Sequence, residues 1–348
     1  MTRHRPERLK PSIGSSGGFA LLIVLWVLAG LTVIAVVVAS SARVSNESVK
    51  LLRERVQAEA AFVSTDARIK VIAATGVPQR MTIAGFKGRL VLDGRPTASA
   101  ESGELVSMQD ERGLINFNRN NVDQMRALLL HCGAKDDQAT QLIDALGDYI
   151  DRDNDKRLNG AEAFEYRTAD LPEPRNAALL SREEIWRVKG WAELRNQWKA
   201  LGCDDLVTVH SDGRFNLNTA SATLLQIAGL TEDAASATVE ARREGFELKE
   251  QPAITIVGGD PFSRLGGGFA GSVLRVTHQL ASVGWILVYD LELTPSRDGG
   301  PWRMHEIRYR PRPKTVAQAL AELPAPDFEL PADQRTAPNV LSNSPFAN

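Results

Sequence analysis

The run from Phe19 to Ala42 contains no charged residue, and nothing else in the chain restricts its architecture as strongly. At about 1.5 Å per helical residue the run is long enough to cross a hydrocarbon layer of roughly 30 Å. Arg3, Arg5, Arg8 and Lys10 precede it, so positive charge predicts a cytoplasmic N-terminus and everything after Arg43 outside. A secretory signal would have a shorter apolar region ending in a small-residue cleavage site. Here the small residues, Gly17-Gly18, stand on the other side of the span. No Gly or Pro interrupts the sequence between Arg43 and Ala74, and Val49, Leu52, Val56 and Val63 recur at helical intervals. One helix is therefore expected to continue from the span as an amphipathic stalk, ending at Gly76 and Pro78.

Beyond the span the chain has the composition of an ordinary folded protein, with 43% hydrophobic residues and a formal net charge of −2. A dominant affinity for nucleic acid would need a basic surface. Cys132 and Cys203 are the only cysteines, which excludes a zinc cluster or a disulfide scaffold but leaves one bridge open in an oxidising compartment. Arg80–Leu92 alternates as one or two short strands, with Asp93-Gly94 as the turn signal. Asp123–Ser211 reads as mostly helical, with Leu128, Leu129, Leu142, Ile143, Leu146, Ile150, Ile185, Trp186 and Leu194 as its core. A second helical piece follows Asn216, then a glycine-rich loop, Gly258–Gly271. Ser272–Val276, Ser282–Leu293 and Trp302–Tyr309 read as strands, and the Pro/Ala-rich tail from Pro311 as disordered. Strands on both sides of a helical block predict an α+β fold carrying an all-helical insertion.

Two enzyme-like patterns lack the context they need. Gly14-Ser15-Ser16-Gly17-Gly18 fits a nucleophile elbow but follows no strand, and Gly266-Gly267-Gly268-Phe269-Ala270-Gly271 leads into a strand rather than a helix. The five histidines show no metal-ligand spacing. A stronger signal follows Ile150: Asp151, Asp153, Asp155, Arg157, Asn159 and Glu162 fall at positions 1, 3, 5, 7, 9 and 12 of a calcium loop. Alternate residues there aim oxygens inward, the seventh contributes only its carbonyl, and the last can bind through both oxygens. Lys156 stands where an EF-hand requires glycine, so a different oxygen cage is expected, or else a solvated acidic turn.

Gly213-Arg214-Phe215-Asn216-Leu217-Asn218-Thr219-Ala220 repeats the style of Gly113-Leu114-Ile115-Asn116-Phe117-Asn118. The later segment is also close to the opening of a DNA-binding helix-hairpin-helix. Its hairpin, Ala228-Gly229-Leu230-Thr231, lacks the second glycine, and Glu232, Asp233 and Glu240 lie nearby. A structural cap is the better reading; the alternative is a membrane-tethered periplasmic DNA receptor.

Taken together these features resemble the minor pseudopilin K family of type II secretion (general secretion pathway protein K). The resemblance rests on Gly18-Phe19-Ala20-Leu21-Leu22-Ile23-Val24-Leu25-Trp26, Asp110-Glu111-Arg112-Gly113 with Leu114–Asn118, and Asp148-Tyr149-Ile150-Asp151-Arg152-Asp153. It continues through Gly160-Ala161-Glu162, Tyr166, Pro172, Asn176, Arg187–Gly190 and Asn216–Ala220. The family implies a prepilin leader (1–18) cut by prepilin peptidase between Gly18 and Phe19, and N-methylation of Phe19. It implies a transmembrane and stalk helix (19–75), and a pseudopilin α/β domain with an antiparallel sheet (76–110 and 270–310). The insertion would comprise a calcium-bearing helical domain (111–212) and a second helical subdomain (213–265), with a disordered tail (311–348) after the sheet. Calcium would be the only cofactor, and pseudopilins I and J the partners at the tip of a periplasmic filament anchored in the bacterial inner membrane. No nucleic-acid partner or catalysis is expected.

Ile23 carries a physical argument of its own. Most pilin-like proteins have glutamate there, pairing with a neighbour's N-terminal ammonium in apolar surroundings, where an unpaired carboxylate is very costly. A subunit with no neighbour ahead of it has no ammonium to meet, so Ile23 marks a tip position. Intact-mass measurement of membrane-extracted protein should give a chain beginning at methylated Phe19; a mature chain beginning at Met1 would refute the processing.

Overall fold

The computed structural model describes residues 17–86, 88–99, 103–119, 121–247, 268–294 and 300–312. The leader up to residue 16, the glycine-rich stretch as far as Gly267 and the tail from residue 313 lie outside the described residues. The chain divides into two units, residues 1–57 and 58–348, and helix α1 (Gly17–Thr75) contributes to both.

Within the first unit α1 exposes its apolar residues, and it is the one described helix long and apolar enough to cross a membrane. Two of its hydroxyls turn back onto its own carbonyls, Thr32 Oγ1 donating to Ala29 O at 2.7 Å and Ser40 Oγ to Val37 O at 2.8 Å. Neither hydroxyl of that pair is then left unsatisfied on the exposed apolar face, as a membrane span would require.

In the second unit α1 gains a buried face at Ala58, Phe62, Thr65, Ile69, Ile72 and Ala73, spaced as one helical stripe. The chain continues through β1 (Val77–Pro78), β2 (Thr82–Gly85) and β3 (Gly88–Val91), a small antiparallel sheet. Next come β4 (Asp93–Ala98) and β5 (Leu105–Asp110). The excursion that follows holds β6 (Ile115–Asn116), α2 (Val122–His131), α3 (Asp136–Ile150), α4 (Ala163–Thr168), α5 (Arg195–Ala200), β7 (Val207–Thr208), α6 (Ala222–Ile227) and α7 (Glu232–Arg243). Strands β8 (Val273–Gln279), β9 (Trp285–Leu293) and β10 (Trp302–Pro311) complete a five-stranded antiparallel sheet in the order β10-β9-β8-β5-β4. The fold is α+β, as the sequence predicts. Strand β8 pairs directly with β5, Leu274 opposite Asp110 and Gln279 opposite Leu105, despite the whole helical excursion between them.

Asp93-Gly94 does not make the hairpin turn expected of it. Gly94 has φ +77° and the β4–β5 register shifts between Asp93 and Pro96, so its left-handed backbone serves a bulge inside a strand. The β2–β3 turn falls instead at Phe86, between Gly85 and Gly88.

Helix α1 is bonded to the sheet by a buried polar chain. Thr65 Oγ1 donates to Glu104 Oε2 at 2.5 Å, and His278 Nδ1 lies 2.5 Å from Glu104 Oε1. Tyr289 donates to Asp66, which also pairs with Lys70 at 2.6 Å. The excursion has its own core. Most of the sequence-predicted positions are buried there, with Ile150 and Trp186 only partly so. Its centre is aromatic: Phe117 meets Trp191 edge-on at 5.4 Å, and Trp191 meets Trp198 at 5.9 Å. Cys132 and Cys203, both fully buried, form a disulfide that ties the end of α2 to the chain after α5.

Free-thiol labelling of the unfolded, unreduced protein should therefore give no signal. Replacing both cysteines by alanine should cost about 4 kcal/mol of stability, the chain-entropy value for a loop of this length. Two reactive thiols in the untreated protein would contradict the bridge.

Candidate metal centre

Helix α3 ends at Ile150, where its unpaired carbonyls present negative potential, yet the chain places Asp151 at the cap and Asp153 just beyond. The loop then crosses back to the start of α4, headed by Glu162. This path gathers carboxylate oxygens of Asp151, Asp153 and Glu162 within 4.8 Å of one another. Glu162 is only 5% exposed. Asp151 Oδ1 and both carboxylate oxygens of Glu162 are buried without a hydrogen-bond partner. The amide of Asn176 closes the loop from outside, Nδ2 donating to Asp153 O at 3.0 Å and to Asn154 Oδ1 at 3.1 Å, while its Oδ1 is likewise buried and unpartnered. Buried polar atoms are nearly always satisfied. Four unpaired oxygens on one small loop system, with no nitrogen or sulfur donor, fit a hard divalent cation such as calcium.

The electrostatics point the same way. Burial, and then the charges of Asp148, Asp151, Asp153 and Glu165, push the Glu162 carboxyl up to about 7. Glu165 goes the other way, to about 2, because Lys156 Nζ donates to it at 2.8 Å and the Glu162 amide donates at 3.0 Å.

Not all six loop positions converge. Asp151, Asp153 and Glu162 do. Asp155 is exposed, its amide donating to Asp153 Oδ1 at 3.0 Å. Asn159 turns away onto Asp144, its backbone N and its Nδ2 both donating to Oδ2. The Arg157 carbonyl accepts from Gly160 N at 3.1 Å in a turn, and the Arg157 side chain enters the acidic cluster as a cation. The physical reason is Lys156: without glycine's sharp turn, the loop is reshaped and its second half leaves the EF-hand path. The sequence reading overlooked two contributors, Asn176 and Asp148. Asp148 lies three residues before Asp151, on the same helical face, and that spacing was the available signal. Nothing in the spacing of Asn176 announces it.

A second group, His210, Asp290 and Glu306, also gathers potential ligand atoms. It lies among arginines: Arg182 pairs with Asp290 at 3.1 Å and Glu306 at 2.9 Å, Arg275 with Asp290 at 3.4 Å, and Arg308 with Glu306 at 3.3 Å. Those carboxylates already have cations, so the group serves as a joint between the excursion and the sheet.

The helix-hairpin-helix-like segment, α6 and α7, shows no basic patch. Arg242 is buried and donates to Ala220 O at 2.6 Å and to Leu217 O. Glu232, Asp233, Glu240 and Glu244 are exposed around it, with Arg243 paired to Glu240 at 2.8 Å. Phosphate binding is dominated by positive charge, which this surface lacks.

With this geometry established, comparison with known proteins locates it. Residues 104–197, spanning β5 to the start of α5 and so including the acidic loop, match the family model of the type II secretion system (T2SS), protein K. Over those residues the chain is similar to type II secretion protein K. This is the family that its motifs resemble. Among solved structures, the chain is similar to one in the crystal structure of the GspK-GspI-GspJ complex from the enterotoxigenic Escherichia coli type 2 secretion system. The two share 16% identity, the match covers 78% of this chain and 99% of that one, and the TM-score is 0.47. No curated protein matches the chain.

The Glu162 shift has a pH consequence with a definite sign. In the ion-free protein its carboxyl holds its proton more tightly folded than unfolded, so stability falls as pH climbs from 4.5 to about 7. A cation needs both oxygens deprotonated, so calcium affinity should rise through the same window. Titration calorimetry at several pH values checks this; an affinity independent of pH would contradict it.

Proposed function

We propose that this chain is a minor pseudopilin of type II secretion, a calcium-binding structural subunit at the tip of the periplasmic pseudopilus, and not an enzyme. The observation that carries the reading is the protein K match over a region that contains the acidic loop, in a chain that also holds a membrane-length apolar helix. Its Gly18–Phe19 junction is the substrate of prepilin peptidase. The span anchors it in the inner membrane with the soluble region in the periplasm, following the positive-inside bias of its leader. Ile23, apolar where a filament subunit needs a carboxylate, supports the tip position. The partners are minor pseudopilins I and J, and the role is to support protein export across the outer membrane.

Calcium has a structural part in this reading. Asp151, Asp153, Glu162 and Asn176 would hold it, and the ion would supply the positive charge that lets those oxygens stay close together. Bound calcium stabilises the helical insertion by RT ln(1 + [L]/Kd), about 2.7 kcal/mol at a hundredfold excess over Kd. Replacing Asp153 and Glu162 by alanine should abolish the calcium-dependent rise in Tm and weaken secretion while membrane insertion is unchanged. The wild-type chain should co-purify with the candidate pseudopilins I and J. A melting curve identical in chelator and in millimolar calcium would refute the metal role, and failure to co-purify would refute the tip complex.

A further inference from the structure

The acidic cluster extends beyond the three residues whose oxygens converge. Asp148, on the last turn of α3, is fully buried, and Gly160 lies so close to it that a Cβ there would stand 1.9 Å from Asp148 Oδ2. Such a carboxylate, taken out of water, must be paired. Its partner is Arg157, which arrives on the loop itself. Arg157 Nη1 donates to Asp148 Oδ1 at 2.6 Å, and the Arg157 backbone N–H lies 3.3 Å from both Asp148 oxygens. The same Nη1 donates to Asp151 Oδ2 at 2.5 Å.

The guanidinium therefore divides the cluster in two. On its side are Asp148 and one oxygen of Asp151, all engaged. On the other are Asp151 Oδ1, both oxygens of Glu162 and Asn176 Oδ1, all buried and unpartnered. We infer that Arg157 is a built-in counter-ion that replaces a second divalent cation and limits the site to one. The inference rests on the calcium reading given above. It assigns Arg157 the determination of how many ions the loop takes, a role opposite in kind to the carbonyl ligand expected from its position in the sequence.

Charge and the supply of free oxygens bear on the assignment together. Asp148, Asp151, Asp153 and Glu162 carry four negative charges, and Arg157 returns one of them. One divalent ion leaves the cluster one charge negative and a second would leave it one charge positive, and that second ion would find the Asp148 oxygens already engaged by Arg157. Without the guanidinium, four carboxylates match two divalent ions, and Asp148, left only the long backbone contact from residue 157, regains oxygen lone pairs that calcium can use. Lys156 does not substitute for it, being held on Glu165 at 2.8 Å.

The test is calcium stoichiometry, by equilibrium dialysis and titration calorimetry, on the full chain in detergent. The wild type should bind one ion, Arg157→Gln two, and the double variant Asp148→Asn with Arg157→Gln one again, because a neutral amide at 148 needs no counter-ion. Circular dichroism in millimolar calcium reports folding of each variant, and Arg157→Gln should reach the wild-type spectrum there because the ions supply the missing charge. Arg157→Gln binding one ion, or failing to fold in saturating calcium, overturns the inference. A wild type that binds no calcium overturns the metal reading itself, and one that binds two overturns the inference while leaving that reading intact.

Discussion

The carboxylate of Asp110 is where the protein is held together. It is fully buried at the end of β5, and desolvation alone would drive it to the neutral form, raising its affinity for a proton. Four donors from three stretches of chain meet it: Arg112 N and Gly271 N at 3.0 Å, Asn216 Nδ2 at 3.0 Å, and Thr219 Oγ1 at 3.1 Å. Asn216 also reaches Arg80 O at 2.7 Å, beside the small sheet. One acidic side chain thus fixes the departure of the excursion, its second half and its return.

The next two residues repeat the device in other directions. Glu111 accepts from Thr208 Oγ1 at 2.5 Å and pairs with Arg275 of β8 at 3.2 Å, while Arg112 forks onto Asp212 at 2.6 Å and donates to Phe269 O at 2.7 Å. Gly113 completes the run because a Cβ there would lie 2.7 Å from the Thr219 carbonyl. Sheet and excursion have separate apolar cores, so what joins them is mainly directional. Buried ion pairs of this kind add little net stability against an apolar replacement, but losing one partner is severe. They fix the orientation of the excursion on the sheet.

Much of this was legible in the sequence, for identifiable reasons. The span and the α1 stripe follow from periodicity, and the strands on either side of the excursion from alternation. The resemblance between the segments at Gly113 and Gly213 was visible as pattern, but its meaning was not. Each places an asparagine that caps its own loop, Asn116 Oδ1 accepting from Asn118 N and Asn216 Oδ1 from Asn218 N. The two are brought side by side by the Asp110 hub and the parallel β6–β7 pair. Contacts across a hundred residues leave no local trace. The same holds at the candidate metal centre. Carboxylates spaced along one loop could be read directly, whereas Asn176, supplied from a separate segment, and the inward guanidinium of Arg157 depend on a fold that spacing does not encode. Trp191 and Trp198 were missed for another reason: they sit on short 3-10 and helical turns, too brief to show a period.

Because β5 and β8 are ladder neighbours, the backbone leaves the sheet and rejoins it only about 5 Å away. Everything from Glu111 to Ser272 is, topologically, a closed detour. Lengthening or shortening such a detour changes loop-closure entropy only logarithmically, and the register of the sheet does not depend on it. Selection is then free to enlarge, trim or exchange the helical cargo at one seam, while the sheet and the helix packed on it keep a constant shape.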